Sequence, residues 1–409
     1  MKFRNFCSAT LALATVTSAA LVQAGTPDLS SCNSWMPACT SNYTASSRPS
    51  AYPIQYVVIH KVQGTAAGSA SWFQNCSSGV TAHYNFDNSS GYCYQSVREK
   101  DIAWHAANWT YNSRGIGIEH GGYVTSNDTS NACYRASGLE TRSCIIYYNV
   151  TWDRSHIVGH SEVPGADHTD PGIYWNWSYY MSCSNVLAGG AIRDKWLDLG
   201  GGAGVLGNPT TGELACPDGV GRFNHFNGAG NNASIYWTPS TGAHEVHGAI
   251  HQKWQALNWE TGVCGYPITD ESTCPDGVGK FNHFSKGASI YWTSSTGAHE
   301  VGGAIRNKWE ALGWETGICG YPTTDESPCQ DGVGRYNHFS KNASIYYTPT
   351  TGAHSVNGAI RNKWASMGYE ASSLGYPTSD EYAVAGGRRS DFQNGTITWH
   401  ADTNTVSIP

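Results

Sequence analysis

Between residues 51 and 183 the apolar positions come in short runs of two rhythms. "IQYVVIH" is continuous and β-branched, as in a strand buried on both faces, while "GSASWFQN" reads as a helix. "VTAHYNF" and "GIGIEHGGY" read as strands, and "RSHIVGH" as another that feeds the loop "SEVPGADHTDPG". Strands alternating with helical stretches predict an α/β domain.

Past residue 185 the chain repeats itself. "GGAIRDKW", "HGAIHQKW", "GGAIRNKW" and "NGAIRNKW" set Trp196, Trp254, Trp309 and Trp364 at intervals of 58, 55 and 55, and "TGAH" recurs at Thr241, Thr296 and Thr351. Each unit reads as a short amphipathic helix, a Gly-Pro turn such as "CGYPTTDES", two short strands such as "GRYNHF" and "SIYYTP", and the "TGAH" turn. One such unit cannot bury its own apolar face, so the array must fold as one body. The spacing makes Trp254, Trp309 and Trp364 core residues; the aromatic residue ending each "SIYW" strand suits either core packing or stacking on a sugar.

The amino terminus changes the setting. "MKFRN" leads into the apolar run "FCSATLALATVTSAALV" and small residues at "VQA", a secretory signal cut after about Ala24. No later stretch approaches the ~20 apolar residues of a membrane-spanning helix. Twelve cysteines remain after Cys7 leaves with the signal, an even number in an oxidising compartment, and no C-x-x-C pair suggests a thiolate metal cluster. Cys264 with Cys274, and Cys319 with Cys329, bracket the same turn in consecutive units and are candidate disulfides, each contributing roughly 3 kcal/mol. Leu206 stands where the first unit would have such a cysteine, which leaves Cys183 as the expected partner of Cys216. Ten N-x-S/T sequons, among them those at Asn42, Asn75, Asn108, Asn149 and Asn394, suit an extracellular surface. A net charge of −7 with only 13% charged residues excludes a nucleic-acid partner.

Candidate chemistry gathers at strand ends. His60 closes the first strand, His160 closes another, and Asp170 follows ten residues later across a Pro-Gly loop. In open α/β sheets sites collect at the carboxyl ends of strands. Two imidazoles and one carboxylate make three ligands and leave a fourth position open, which is how catalytic zinc is held. In "GIGIEH" Glu119 alternates with the isoleucines, so its carboxylate points away from the face they bury and suits a general base.

These motifs carry a resemblance. "YVVIHKVQGTAAGSASWFQN", "TAHYNF", "VREKDIAWHAANW", "NSRGIGIEHGGY" and "HIVGHSEVPGADHTDPG" resemble the zinc-dependent N-acetylmuramoyl-L-alanine amidases of the type 2 family, which includes peptidoglycan recognition proteins and phage amidases. The resemblance implies one Zn2+ held by His60, His160 and Asp170, and Glu119 as a catalytic carboxylate. Some relatives have cysteine as third ligand, and its loss accompanies binding without catalysis; the aspartate here matches a catalytically active branch. His168 occupies the position of a catalytic lysine in several relatives, so its help to an oxyanion should depend on pH. The resemblance also places His83, Trp104, His105, Trp109 and Arg114 among substrate contacts. His120 and His156 are left structural.

The repeats resemble LGFP repeats, through "LGNP", "CGYP", "CGYP" and "LGYP", "DGVGRYNHF", "ASIYYTPTTGAH" and "GAIRNKW". Such repeats accompany cell-wall enzymes and are thought to hold them to the wall.

The expected organisation is a signal peptide over 1–24, an N-terminal linker over 25–51, and a zinc amidase domain over 52–185 with a central mixed β-sheet flanked by helices. Four helix-plus-strand repeats over 188–409 follow, at about 188–246, 247–301, 302–356 and 357–409, with a closed, propeller-like ring as one arrangement. The expected activity is secreted peptidoglycan hydrolysis at the bond between N-acetylmuramic acid and L-alanine, by a monomer whose repeats bind wall glycan. The alternatives are a peptidoglycan-binding protein without turnover and a zinc amidase of another substrate.

Overall fold

The computed structural model describes residues 28–409, so the expected signal peptide lies outside the described residues. The described residues divide into two compact units, one ending at Trp175 and the other running from Asn176 to Pro409. The boundary falls before the helix Trp177–Cys183, ten residues earlier than the expected end of the first domain. Among the described residues no helix is long and apolar enough to cross a membrane.

The first unit is built on a six-stranded mixed sheet. Tyr56–Lys61 lies in its interior, parallel to Gly115–His120 on one side and Ile157–Gly159 on the other. Tyr84–Phe86 runs parallel to Gly115–His120, then pairs antiparallel with Cys93–Gln95, which pairs in turn with Ser34–Trp35. Val57, Val58, Ile59, Ile116, Ile118 and Ile157 are fully buried, as their unbroken β-branched runs require of strands covered on both faces. Helices Ala66–Gln74 and Asn131–Tyr148 pack on this sheet, the first capped by the Thr65 side chain and the second by Ser130.

The N-terminal segment is not a linker. Ser34–Trp35 is a strand of the main sheet, and Cys32–Cys93 and Cys39–Cys76 are disulfides that tie the segment to it. Arg48 is buried and donates to the carbonyls of Glu99 and Gly115, which ordered chain alone can do. Asn42 is fully enclosed, its amide donating to the Phe73 and Asn75 carbonyls, so that sequon cannot carry a sugar in the folded chain.

The second unit contains four four-stranded antiparallel sheets, not two strands per repeat. The extra strands come from the Gly-Pro turn, as at Ser272–Thr273, and from "TGAH", whose glycine opens strands such as Gly297–Gly302. Among the described residues no strand joins one sheet to another, so strand pairing closes no ring. Trp254, Trp309 and Trp364 are fully buried, as the periodicity predicts, and Trp196 is buried with them. Trp254 and Trp309 donate to the carbonyls of Gly265 and Gly320 at 3.1 Å.

Successive repeats interlock through side chains. Lys195, Lys253 and Lys308 pair with Asp270, Asp325 and Asp380 at 2.7–2.8 Å, each bond joining a helix to the turn of a later repeat. The Tyr321 hydroxyl reaches back to Asp276 at 2.7 Å, and a Cβ on Gly279 would come within 2.5 Å of the Tyr321 ring, so that turn needs glycine.

The expected Cys264–Cys274 and Cys319–Cys329 bridges are not formed; all four residues are buried free thiols, as is Cys216. The turn after Cys264 carries the chain from one core to the next. Cys264 packs with Cys216, Tyr236 and Trp254, whereas Cys274 packs with Cys319 and Trp309, and Cys329 with Trp364. Closeness in sequence is therefore separation between cores.

Candidate functional site

Strand register assembles the site. His60 pairs with Glu119 across the parallel ladder, and Ile59 pairs with Gly159, which sets His160 beside His60. Three neighbouring strands thus deliver an imidazole, a carboxylate and a second imidazole at their carboxyl ends. The loop after His160 returns Asp170 to the same spot: the Ser161 amide donates to the Asp170 carbonyl at 2.9 Å, and the Lys61 amide to its carboxylate at 3.3 Å.

His60 Nδ1 lies 3.2 Å from Asp170 Oδ2, and His160 Nδ1 lies 3.2 Å from Asp170 Oδ1. All three side chains are buried, and their ligand atoms fall within 4.8 Å of one another. Two nitrogens and a carboxylate converging from three directions make a donor set that suits zinc. Burial pushes the His60 pKa down, against the pull of Asp170, which favours the neutral imidazole a metal needs. Burial would raise the Asp170 pKa, but hydrogen bonds from His160 and His60 outweigh it and hold the carboxyl well below the usual range.

Glu119 stands beside this cluster with Oε2 buried and without a hydrogen-bond partner. Burial, then the nearby Asp170 charge, pushes its pKa well above that of an ordinary glutamate. His168 is largely exposed and lies flat against His160, ring centroids 4.8 Å apart at 17°.

The expected contact residues divide. His105 is buried against the cluster, its Nδ1 3.1 Å from His60 Nε2. Trp104, beside it, is anchored through its indole N–H to Thr44 at 3.0 Å. Trp109 is exposed on the segment whose Asn108 donates to the Pro164 carbonyl, which sets it against the loop joining His160 to Asp170.

His83 and Arg114 do not reach the site surface. His83 is fully enclosed: its Nδ1 accepts from the Gly117 amide at 3.0 Å and its Nε2 lies 2.7 Å from the Arg48 guanidinium. It props the strand behind His105, where a substrate cannot touch it. Arg114 precedes the strand that ends near Glu119, so five residues of extended chain, about 16 Å, separate them. Its side chain turns to Gln55 at the opposite strand end.

The sequence also hid supporting residues. Gly117 admits the His105 ring, since a Cβ there would come within 2.4 Å of it. Lys61, next to His60, buries its ammonium against Asp128 at 2.5 Å and Thr129 at 2.9 Å. The "GIG" spacing was the only available signal for the first; nothing in the sequence marked the second.

Comparison with known proteins gives matches in both units. The N-acetylmuramoyl-L-alanine amidase family model matches residues 50–173. The LGFP repeat model matches residues 206–262, 265–317, 320–372 and 374–409, counting the same repeats from the turn instead of the helix. N-acetylmuramoyl-L-alanine amidase A of Achromobacter lyticus is 39% identical over 175 residues, which cover 38% of this chain and 93% of that relative. Among solved structures, a selenomethionine derivative of AmpD is 22% identical, with a TM-score of 0.33 over 38% of this chain and 96% of the other. A mutant endolysin from Bacillus subtilis is 15% identical, with a TM-score of 0.31 over 37% of this chain and 97% of the other.

Proposed function

The chain belongs to the N-acetylmuramoyl-L-alanine amidase family, and from that premise we propose how its residues hydrolyse the amide between N-acetylmuramic acid and the L-alanine of the stem peptide. The enzyme is a peptidoglycan hydrolase. The observation that carries the reading of its site is the convergence of His60, His160 and Asp170, each imidazole 3.2 Å from the carboxylate.

These three residues would hold one zinc ion through the two Nδ1 atoms and the carboxylate. When bound, zinc supplies Lewis acidity that polarises a carbonyl and acidifies water. Glu119, with a free buried oxygen beside the cluster, takes the proton of the attacking water and passes it to the leaving amine. His168 lies over His160 at the solvent side and donates an N–H to the developing oxyanion. His105 holds the outer nitrogen of His60, and the exposed Trp109, on the segment tied to the His160–Asp170 loop, is the aromatic residue available to a substrate there.

The protein acts outside the cell, a reading supported by the two disulfides. Its repeats hold the enzyme to wall glycan, which raises its local concentration at the substrate without altering the chemistry.

Incubation of the zinc-loaded protein with purified peptidoglycan, followed by mass spectrometry, tests the reaction. Free stem peptides beginning at L-alanine support it, and fragments cut within the glycan or within the peptide contradict it.

A further inference from the structure

The last repeat holds a cavity of about 300 Å³ at the start of the helix Gly358–Ser366. Trp399 forms one wall, and its indole N–H is bonded to Asn404 at 3.1 Å, which fixes the ring plane. Arg388 sits directly across the strand pair from Trp399 and is ion-paired with Glu381. Asn357 completes the lining, with its Oδ1 buried and without a hydrogen-bond partner. The first amides of the helix, at Ala359 and beyond, have no acceptor within the helix itself.

We propose that this cavity is a saccharide subsite that takes one ring of a neutral wall polysaccharide. The inference deepens the wall-holding reading of the repeats and rests on it. Glu381 and Arg388 neutralise each other, so neither an anion nor a cation gains from entering. A sugar hydroxyl donates and accepts at once, and the adjacent carboxylate and guanidinium offer both complements. The orphaned Asn357 oxygen needs a donor, which a hydroxyl or acetamido N–H supplies. The apolar face of a sugar ring suits the indole, and the volume lies at the small end of ligand pockets.

The same constellation recurs in weaker form. Cross-strand register sets Arg222 opposite Trp237, Lys280 opposite Trp292 and Arg335 opposite Tyr347, with Glu326 paired to Arg335. At the position of Asn357 an earlier repeat carries His247, whose Nε2 lies 3.3 Å from Glu271, the counterpart of Glu381.

The test uses the full chain with Glu119→Gln, so that the probe is not digested. Sedimentation with protein-free bacterial sacculi that retain their polysaccharides, in excess soluble muropeptide to fill the amidase cleft, gives the binding constant. Adding Trp399→Ala should weaken binding by about tenfold or more. Trp399→Tyr, which copies Tyr347 of the preceding repeat, should stay within about threefold. If the parent sediments and Trp399→Ala binds equally well, the subsite falls while the wall-holding reading stands. A tyrosine variant as weak as the alanine variant also counts against it, because stacking would have survived. A parent that does not sediment overturns the wall-holding reading and the subsite together.

Discussion

His60 Nε2 lies 3.1 Å from His105 Nδ1, while the other nitrogen of His60 faces Asp170 at 3.2 Å. One ring is therefore gripped at both ends, and its orientation is set before any ligand arrives. Residues that orient a metal-binding histidine commonly matter to affinity by 10- to 100-fold. His105→Ala should lower zinc affinity by about that factor, read by chelator competition. Gly117→Ala, which pushes a Cβ toward the same ring, should weaken zinc binding in the same assay although it removes no polar group.

Glu119 and His168 should separate from the ligands in their effect. Glu119→Gln preserves shape but cannot accept a proton, so kcat should fall by about 10²- to 10⁴-fold with zinc content unchanged. His168→Ala should cost less, about tenfold, because it removes one N–H donor and leaves the zinc ligands in place. Stem-peptide release, measured beside elemental zinc analysis, checks both.

Glu300 should contribute stability to the repeat unit that is lost as pH rises, against the opposite trend of the buried His251, His283 and His338, whose depressed pKa values of about 4 favour the folded state as pH rises. Burial, then the Glu326 charge, lifts the Glu300 pKa from 4.5 to about 7. The folded state then binds the proton more tightly than the unfolded one, so stability present below pH 4.5 drains away as pH climbs toward 7. The full effect is roughly 3 kcal/mol, and Glu300→Gln should remove it. Asp325 works with the opposite sign: burial opposes ionisation, but His299 and Lys253 hold its pKa at about 2, so its contribution is lost only in acid. Denaturant melts of wild type and Glu300→Gln at pH 5 and pH 8 isolate the Glu300 contribution as the difference between the two proteins' pH dependences.

The disulfides should stabilise the amidase unit and leave the repeats untouched. Cys32–Cys93 and Cys39–Cys76 close loops with sequence separations of 61 and 37. Each should contribute about 4 kcal/mol by constraining the unfolded chain. Cys39→Ser with Cys76→Ser should lower the first unit's denaturation midpoint, while double replacement of Cys264 and Cys274 should give no loss attributable to a broken cross-link. Free-thiol counting under denaturing conditions gives an independent check.

What the sequence made legible followed from strong local signals. The β-branched run before His60 and the 55-residue tryptophan spacing identified a buried strand and a repeated core, because burial on both faces and helical packing leave periodic traces. The helix Asn131–Tyr148 left none: its buried face consists of Ser137, Gly138, Glu140 and Thr141 with two cysteines and a tyrosine, which shows no apolar period. The candidate metal ligands were readable because His60 and His160 stand at strand ends and Asp170 lies on the loop that follows His160. His83 and Arg114 were misplaced because motif proximity does not say which end of a strand a neighbour occupies, nor how deeply it is enclosed. The cysteine pairing failed for a related reason: a short loop can connect two cores.

The central claim is that His60, His160 and Asp170 hold the ion on which peptidoglycan cleavage depends. Elemental analysis and stem-peptide release, measured on the same preparations of wild type and Asp170→Ala, test it most directly. The account predicts one zinc per wild-type chain, and loss of both zinc and release in the variant with its fold retained. Release from Asp170→Ala at the wild-type rate would contradict it.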